Sequence, residues 1–180
     1  LICKWTPRAS KSIASTKSVI PDLLDAGVLR NQIKVVPCGV NYKRFTSSPI
    51  NRMNVRRAHG IPNNVFTYIT VGRNHPKKGF PILVKALAEL KLILPNNPFH
   101  CMFIGRDMDQ LRPMAEELGV AKYITFIDEV GVSSEDKAYE MPSSPLIGLY
   151  RSADACVYPS LLEGHATINI EAMAAGIPVV

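Results

Sequence analysis

From about residue 60 onward the chain alternates apolar, β-branched runs with amphipathic segments, and this alternation limits the possible folds more than any other feature. Strands that alternate with helices at this spacing form βαβ units around a parallel sheet. The sequence therefore predicts an α/β fold, a Rossmann-like parallel sheet with helices on both faces. The predicted strands cover 66–72, 99–105, 123–128 and 154–160, and the predicted helices cover 80–94, 109–119 and 144–153. A helix through INIEAMAAG and a strand that starts at PVV complete the pattern.

The first 60 residues follow a less regular pattern. SIAST (12–16) and IKVVPCGV (33–40) are predicted strands, with a predicted helix between them at 17–28. The polar segment 41–54 is interpreted as irregular, and 56–62 as a short helix that leads into the main domain.

The length suits one domain with a sizeable core and part of another, and the segment 41–55 is interpreted as a linker. The chain starts on leucine and ends within the strand-like run PVV, so we expect it to be a piece of a longer polypeptide.

The chain is basic, with a formal net charge of +6 and a pI of about 9.2. Such a charge favours anionic partners such as phosphates or an acidic membrane surface, and general solubility explains it equally well. No long basic run is interleaved with aromatic residues, so nucleic acid is not favoured as a partner. The four cysteines contain no C-x-x-C pair, which disfavours a zinc site. No apolar run approaches the length of a membrane span.

Candidate functional residues follow the predicted strands, because ligands of open parallel sheets bind outside the carboxyl ends of the strands. In VGRNHPKKGF (71–80), Gly72 ends a strand, Arg73 follows it, and Lys78 precedes a helix. Two cations near a helix N-terminus suit a diphosphate, although a solvated basic turn explains the spacing equally well. Neither G-x-x-x-x-G-K nor G-x-G-x-x-G occurs, which disfavours the usual phosphate-binding loops.

The next two strands end in polar segments. Arg106 and Asp107 follow the second strand and are interpreted mainly as an ion pair with each other. The segment after the third strand, IDEVGVSSED (127–136), suits either a flat ligand such as a nucleobase or an ordinary surface loop.

Two glutamates in EGHATINIEAM lie eight positions apart. Glu163 is predicted in a loop and Glu171 on the second turn of a helix, and Gly164 allows backbone amides to approach a ligand closely. Both carboxylates are predicted to face one crevice, where they would accept sugar or ribose hydroxyls. An acid–base pair for glycoside hydrolysis is disfavoured, because a helix N-terminus lowers the pKa of a carboxyl group.

Together these segments resemble the retaining glycosyltransferases of family 4, which have the GT-B fold. The resemblance is carried by VGRNHPKKGF, by ADACVYPSLLEGHATINIEAMAAGIPVV with its E-x7-E spacing, and by the hinge-like VVPCGVNYKRF. It implies that the chain is the donor-binding part of a hexosyltransferase in glycan biosynthesis and comes from the C-terminal half of the fold. It also implies transfer with retention of configuration, a nucleotide-diphosphate sugar as donor, and no required metal or other cofactor. By this resemblance, 1–40 would be the end of the N-terminal domain with its hinge strand, 41–55 a linker, and 56–180 the nucleotide-sugar donor-binding domain, incomplete at its C-terminus.

The resemblance implies a role for each matching residue. Arg73 and Lys78 would hold the donor diphosphate and Glu163 would contact the donor sugar, so these three form the predicted catalytic set. Glu171 would bind the ribose hydroxyls. The remaining predicted donor-binding residues are Gly72, Glu129, Val130, Gly131, Val132, Gly164, His165, Ala166, Thr167 and Ile168. The family commonly has E-G-F-G where this chain has EGHA, so His165 and Ala166 are expected to alter the donor pocket.

The expected partners are a nucleotide sugar and a glycan, lipid-linked or small-molecule acceptor. We expect a cytoplasmic protein, and the basic charge is compatible with peripheral contact at the cytoplasmic face of a membrane. The isolated chain is expected to be inactive, because the acceptor loop and catalytic-site histidine of the family lie in a domain that is mostly outside this sequence. Three alternatives stay open: a non-catalytic nucleotide-binding or regulatory module, an oxidoreductase domain disfavoured by the missing G-x-G-x-x-G, and a phosphorylase of related fold.

Overall fold

The computed structural model describes residues 10–47, 50–96, 98–131, 141–164 and 166–180. The chain divides into two compact units, one made of Leu1–Gly39 with Glu163–Thr167, the other of Val40–Leu162 with Ile168–Val180. The predicted domain assignment, with a linker at 41–55, stays a prediction.

The first unit contains a short parallel βαβ arrangement. Strand β1 (Ser12–Ala14) pairs with strand β2 (Ile33–Val35), and helix α1 (Ile20–Asp25) lies between them in the chain. Ala14 and Val28 are buried apolar residues of this unit. The predicted strand–helix–strand pattern is therefore confirmed, with shorter elements than the sequence suggested.

The segment 41–54, interpreted from its polarity as irregular, instead contains helix α2 (Tyr42–Ser47) and the start of helix α3 (Arg52–Ala58). The interpretation was wrong because α3 is held by polar contacts. The Oδ1 atom of Asn51 accepts hydrogen bonds from the amides of Met53 and Asn54, at 3.0 and 3.2 Å, and so caps α3.

The second unit is built on a four-stranded parallel sheet. Its strands are β3 (Phe66–Val71), β4 (Phe99–Ile104), β5 (Ile124–Ile127) and β6 (Ala155–Cys156). Their order in space is β5-β4-β3-β6, so β3, the first of them in the chain, lies between β4 and β6. A parallel bridge from Cys156 to Val179 places the predicted PVV strand beside β6. The predicted strand 154–160 is shorter than expected, because the chain leaves the sheet after Cys156.

Helices cover both faces of this sheet, as predicted. They are α4 (Phe80–Ile93), α5 (Arg112–Glu117), α6 (Ser144–Ser152) and α7 (Thr167–Ala174). Phe99, Cys101 and Phe103 of β4 pack into a core with buried residues of α4 and α5. The crossover from β5 to β6 runs in the opposite direction, so α6 lies on the other face when connections are right-handed. All six residues of β4 are buried, as a strand covered on both faces requires.

Helix α3 is joined to the sheet by a buried arginine. Arg56 is 1% exposed, and its Nε donates to the Ser152 carbonyl at 2.9 Å while its Nη2 donates to Asp154 Oδ2 at 2.9 Å. Arg52 contacts the other carboxylate oxygen at 2.5 Å, and the amide of Thr67 donates to Oδ2 at 2.8 Å. Burial alone would raise the pKa of Asp154, but these hydrogen bonds together lower it.

Candidate functional site

The turn after β3 carries the predicted cationic residues. The amide of Gly72 donates to the Ile104 carbonyl of β4 at 2.8 Å, which fixes the start of the turn. A short 3-10 helix, Pro76–Lys78, then leads into α4, and the Nδ1 atom of His75 accepts from the Lys77 amide at its start. Arg73 and Lys78 therefore lie on one turn at the carboxyl end of β3.

The loop after β6 is bound directly to this turn. The Lys77 carbonyl accepts hydrogen bonds from the Leu161 amide at 2.8 Å and from the Ser160 hydroxyl at 3.2 Å. Gly79 lies so close to Pro159 that an added Cβ would overlap the Pro159 carbonyl oxygen. We call residues 72–79 and 158–162 together the paired loops. Their mutual contacts hold the N-terminus of α4 in one position.

The two predicted cations have different surroundings. Arg73 is exposed and forms no hydrogen bond or ion pair with the residues that the structure describes. Lys78 is half-buried, and its Nζ lies 3.5 Å from the Tyr158 hydroxyl and 5.6 Å from the centre of that ring. The ring therefore orients Lys78, whereas the Arg73 guanidinium is available to an anion.

The predicted ribose-binding carboxylate, Glu171, is partly buried on α7. The Tyr150 hydroxyl of α6 donates to Glu171 Oε2 at 2.8 Å. Burial raises the pKa of Glu171, and the hydrogen bond from Tyr150 opposes that rise. The expectation that a helix N-terminus lowers the pKa is therefore wrong for Glu171, because this residue lies beyond the first turn of α7 and burial is the largest influence on it.

Sequence reasoning missed Tyr150, whose side chain is fully buried. Burial, followed by the charge of Glu171, raises the pKa of the Tyr150 hydroxyl. The same two causes raise the pKa of the neighbouring Cys156 thiol to about 12. A tyrosine among the buried positions of a helix needs a partner for its hydroxyl, and this was the available signal.

The segments after β4 and β5 pair differently from the prediction. Arg106 contacts Glu129 Oε1 with both Nε and Nη2, each at 3.2 Å, and does not pair with Asp107. The cause is register: Ile104 lies opposite Ile127, so the residues two positions beyond each strand face one another. Adjacent residues such as Arg106 and Asp107 point apart instead.

The loop predicted near a nucleobase follows β5 at the same edge of the sheet as the turn after β3. Glu129 and Gly131 are exposed and Val130 is half-buried, whereas Val132 lies outside the described residues. Glu129 is also held by its contact with Arg106.

The remaining predicted residues lie in sequence just before α7 or in its first turn. Glu163 and Gly164 are exposed, and an added Cβ on Gly164 would meet nothing within 4 Å. Ala166 is half-buried, Thr167 is exposed, and Ile168 is buried. Glu163, Gly164, Ala166 and Thr167 belong to the first unit, whereas Arg73, Lys78, Ile168 and Glu171 belong to the second. His165 lies outside the described residues. The convergence of both glutamates on one crevice stays a prediction.

A cleft of about 490 Å³ opens at the paired loops and is lined partly by Asn74, Pro76, Gly79, Ile82 and Leu161. Among the described residues, no three His, Cys, Asp or Glu side chains are grouped so that they could hold a metal ion. In the same part of the chain, no helix has both the length and the apolar character required to span a bilayer.

The fold and the paired loops define a parallel α/β domain with a cationic turn at the carboxyl edge of its sheet. Its sequence matches the profile of the family "Glycosyl transferases group 1" over residues 51–180. The chain belongs to this family, and the predicted resemblance to glycosyltransferases is confirmed.

Individual relatives agree with this assignment. The D-inositol 3-phosphate glycosyltransferase of Corynebacterium glutamicum is 36% identical over 159 residues, which are 83% of this chain and 35% of that protein. A glycosyltransferase structure from Rickettsia africae matches with a TM-score of 0.78 at 20% identity, over 99% of this chain and 48% of that one.

The structure of HepE from Anabaena in complex with UDP-glucose matches with a TM-score of 0.74 at 22% identity, over 95% of this chain and 44% of that one. The structural matches confirm the predicted fold class. This chain spans less than half the length of each of these three proteins.

Proposed function

We propose that this chain is the donor-binding part of a glycosyltransferase that takes a hexosyl group from a nucleotide-diphosphate sugar and transfers it with retention of configuration. The observation that carries the proposal is the pair of contacting loops, with Arg73 unpaired among the described residues and Lys78 held against Tyr158. Membership of the family supports the reaction class. The UDP-glucose bound to the related HepE structure supports the donor class.

In this proposal the paired loops bind the donor diphosphate. Arg73 presents a planar fork of donors that suits two phosphate oxygens, and Lys78 adds a point charge. At the start of the 14-residue helix α4, Pro81 has no amide N–H and the amides of Ile82 and Leu83 donate to the Gly79 carbonyl at 2.9 and 3.2 Å. The contribution of this helix end to an anion is therefore mainly the positive end of its dipole. The contact between Gly79 and Pro159 keeps this helix end beside the loop after β6.

The two glutamates would bind hydroxyl groups. A carboxylate accepts hydrogen bonds and repels phosphate, so Glu163 and Glu171 suit the sugar and the ribose of the donor and not its diphosphate. Amides from Gly164 to Ile168 would contact the sugar and phosphate, with Gly72 at the start of the phosphate-binding turn. The segment Glu129 to Val132 would lie beside the base.

The proposed chemistry is electrostatic. When the bond between the anomeric carbon and the diphosphate breaks, negative charge grows on the leaving oxygen, and Arg73, Lys78 and the dipole of α4 would stabilise it. We propose that no metal or other cofactor is required. The acceptor would be a glycan, a lipid-linked molecule or a small metabolite, and the net charge of +6 supports contact with an anionic membrane surface in the cytoplasm.

Nucleotide binding tests the proposal. Thermal unfolding of the full-length protein is measured with UDP, GDP, ADP and CMP, since a ligand at about a hundred times its Kd stabilises by roughly 2.7 kcal/mol. We expect one nucleoside diphosphate to raise the Tm. The variant R73A should bind it about 10-fold to 100-fold more weakly, because a charge-assisted bidentate contact is lost.

The matched control is R112A, which removes an exposed arginine that pairs with Asp109 at 2.7 Å within its own helical turn. Its nucleotide affinity should equal that of the wild type. The proposed function would be contradicted if the wild-type protein bound none of the four nucleotides. It would also be contradicted if R73A bound the nucleotide as tightly as the wild type.

A further inference from the structure

Glu171 presents its two carboxylate oxygens to different surroundings. Oε2 accepts the Tyr150 hydroxyl at 2.8 Å, whereas Oε1 accepts no hydrogen bond from the residues that the structure describes. The Glu171 side chain is partly exposed, so Oε1 is accessible to a ligand. One oxygen is therefore anchored to the protein and the other is unused.

Tyr150 is well placed to act as this anchor. Its side chain is 0% exposed, and its ring lies 6.4 Å from the ring of Phe45, centroid to centroid. A ring packed in this way keeps one rotamer, so its hydroxyl has a fixed position. Glu171 has three rotatable side-chain bonds and would otherwise lose their freedom when a ligand binds, which weakens binding.

We propose that Tyr150 is a positioning residue that holds the Glu171 carboxylate so that its free oxygen accepts a hydroxyl of the ribose in the nucleotide donor. This inference rests on the proposed function, because it concerns the same donor. It assigns to Tyr150 a selective contribution to ribose recognition, separate from the phosphate contacts of the paired loops.

A ribose hydroxyl fits the free oxygen better than the other parts of a nucleotide. A carboxylate oxygen only accepts hydrogen bonds, and a hydroxyl donates one without carrying charge. The diphosphate would instead be repelled. Substitution of Tyr150 should therefore change the discrimination between ribose and deoxyribose, and it should leave the affinity for the remainder of the nucleotide unchanged.

The experiment compares Kd values of the full-length wild type and Y150F for the nucleoside diphosphate that raises the Tm and for its 2′-deoxy and 3′-deoxy analogues. Wild-type protein should prefer the ribose form to at least one analogue. Y150F should lose about 3-fold to 10-fold of that preference, the value of one hydrogen bond, with unchanged affinity for that analogue. E171A should abolish the preference.

The matched control is Y123F, because the Tyr123 ring stacks on Phe99 with centroids 5.0 Å apart and, within the described part of the chain, forms no hydrogen bond with Glu171. Its ribose preference should equal that of the wild type. Circular dichroism shows that each variant is folded before binding is measured.

A pH profile gives a second readout that a purely structural role would not move. Among the residues that the structure describes, the titratable groups facing Glu171 are Tyr150 on α6 and Cys156 on β6. Loss of the Tyr150 hydroxyl removes the hydrogen bond that lowers the pKa of Glu171. The ribose preference of Y150F should therefore disappear at a higher pH than that of the wild type as the pH is lowered.

Each outcome is decisive. Equal loss of affinity for the ribose and deoxyribose forms, or an unchanged preference in Y150F, would overturn the role of Tyr150 while leaving the proposed function in place. A wild-type protein that binds no nucleotide would remove the proposed function and this inference with it.

Discussion

Gly79 shows at the scale of one residue how the sequence connects two distant loops. Its φ of +66° lies in the left-handed region, and an added Cβ would overlap the Pro159 carbonyl oxygen. Gly105 is constrained in a similar way, with a φ of +127° and the Gly72 carbonyl oxygen where its Cβ would be. Gly79 immediately precedes α4 and Gly105 directly follows β4, and at both positions another segment can approach closely because glycine has no side chain.

Replacing Gly79 with alanine should destabilise the protein by about 2–4 kcal/mol, because the left-handed backbone conformation and the overlap with Pro159 both add cost. Urea unfolding measures the change. Gly60 is the matched control, since it has the same φ of +66° and nothing within 4 Å of an added Cβ. G60A should cost about 1 kcal/mol, and equal losses in G79A and G60A would refute the contribution of the contact with Pro159.

At the scale of elements, α3 is attached to the sheet by charges as much as by apolar packing. Arg56 donates hydrogen bonds to the carbonyls of Ser152, Pro62, Asn63 and Val65 in addition to its contact with Asp154. A guanidinium that is 1% exposed needs these acceptors, because an unpaired buried charge is costly. These hydrogen bonds explain how α3, which has few apolar residues, is attached to the sheet.

The variant D154N should lose about 2–3 kcal/mol of stability near neutral pH, because it removes the counter-charge of Arg56. D109N is the control, since the Asp109–Arg112 pair has side chains 64% and 46% exposed and should contribute less than about 1 kcal/mol. Urea unfolding at pH 7 gives both values, and a loss in D154N no larger than in D109N would contradict this account.

The contribution of Asp154 to the free energy of unfolding should decrease at acidic pH. Folding lowers the pKa of Asp154, so the stabilisation is present above the usual carboxyl pKa of about 4 and is lost as the pH falls through the lower, folded value. The difference in unfolding free energy between the wild type and D154N should therefore shrink toward acidic pH. A constant difference from pH 7 to pH 3 would show that charge is not the cause.

At the scale of the whole molecule, strand order decides which loops meet. The turn after β3 and the loop after β6 are separated by about eighty residues in sequence, yet β3 and β6 are neighbours in the sheet. Because parallel strands place their carboxyl ends at one edge, the Lys77 carbonyl can bind Ser160 and Leu161 directly. These hydrogen bonds attach the cationic turn to the loop after β6.

Thiol labelling tests whether this core stays closed in solution. Cys38 is exposed, whereas Cys101 and Cys156 are buried and burial raises the pKa of both thiols. In a C3S background, iodoacetamide at pH 8 should label Cys38 rapidly and the two buried thiols only as the protein unfolds in urea. Mass spectrometry of peptides measures the labelling of each cysteine. Fast labelling of Cys156 in the native protein would contradict the burial of this thiol in solution.

Much of the fold and part of the candidate site could be predicted from sequence. The β3–α4–β4 region was located closely, because a buried strand and an amphipathic helix each leave a periodic pattern. The predicted group of Gly72, Arg73 and Lys78 lies on one turn, since these residues are near one another in sequence. Secondary-structure elements, and site residues close to one another in the sequence, could therefore be predicted from short stretches of sequence.

The sequence by itself determined the fold class, the family and the position of the cationic turn, because hydrophobic periodicity and short motifs indicate these properties. Only the tertiary structure decided that Arg106 pairs with Glu129, that Tyr150 anchors Glu171 and that Asp154 neutralises Arg56. The physical reason is that these partners are separated by 23, 21 and 98 positions in the chain and meet through strand register and helix packing.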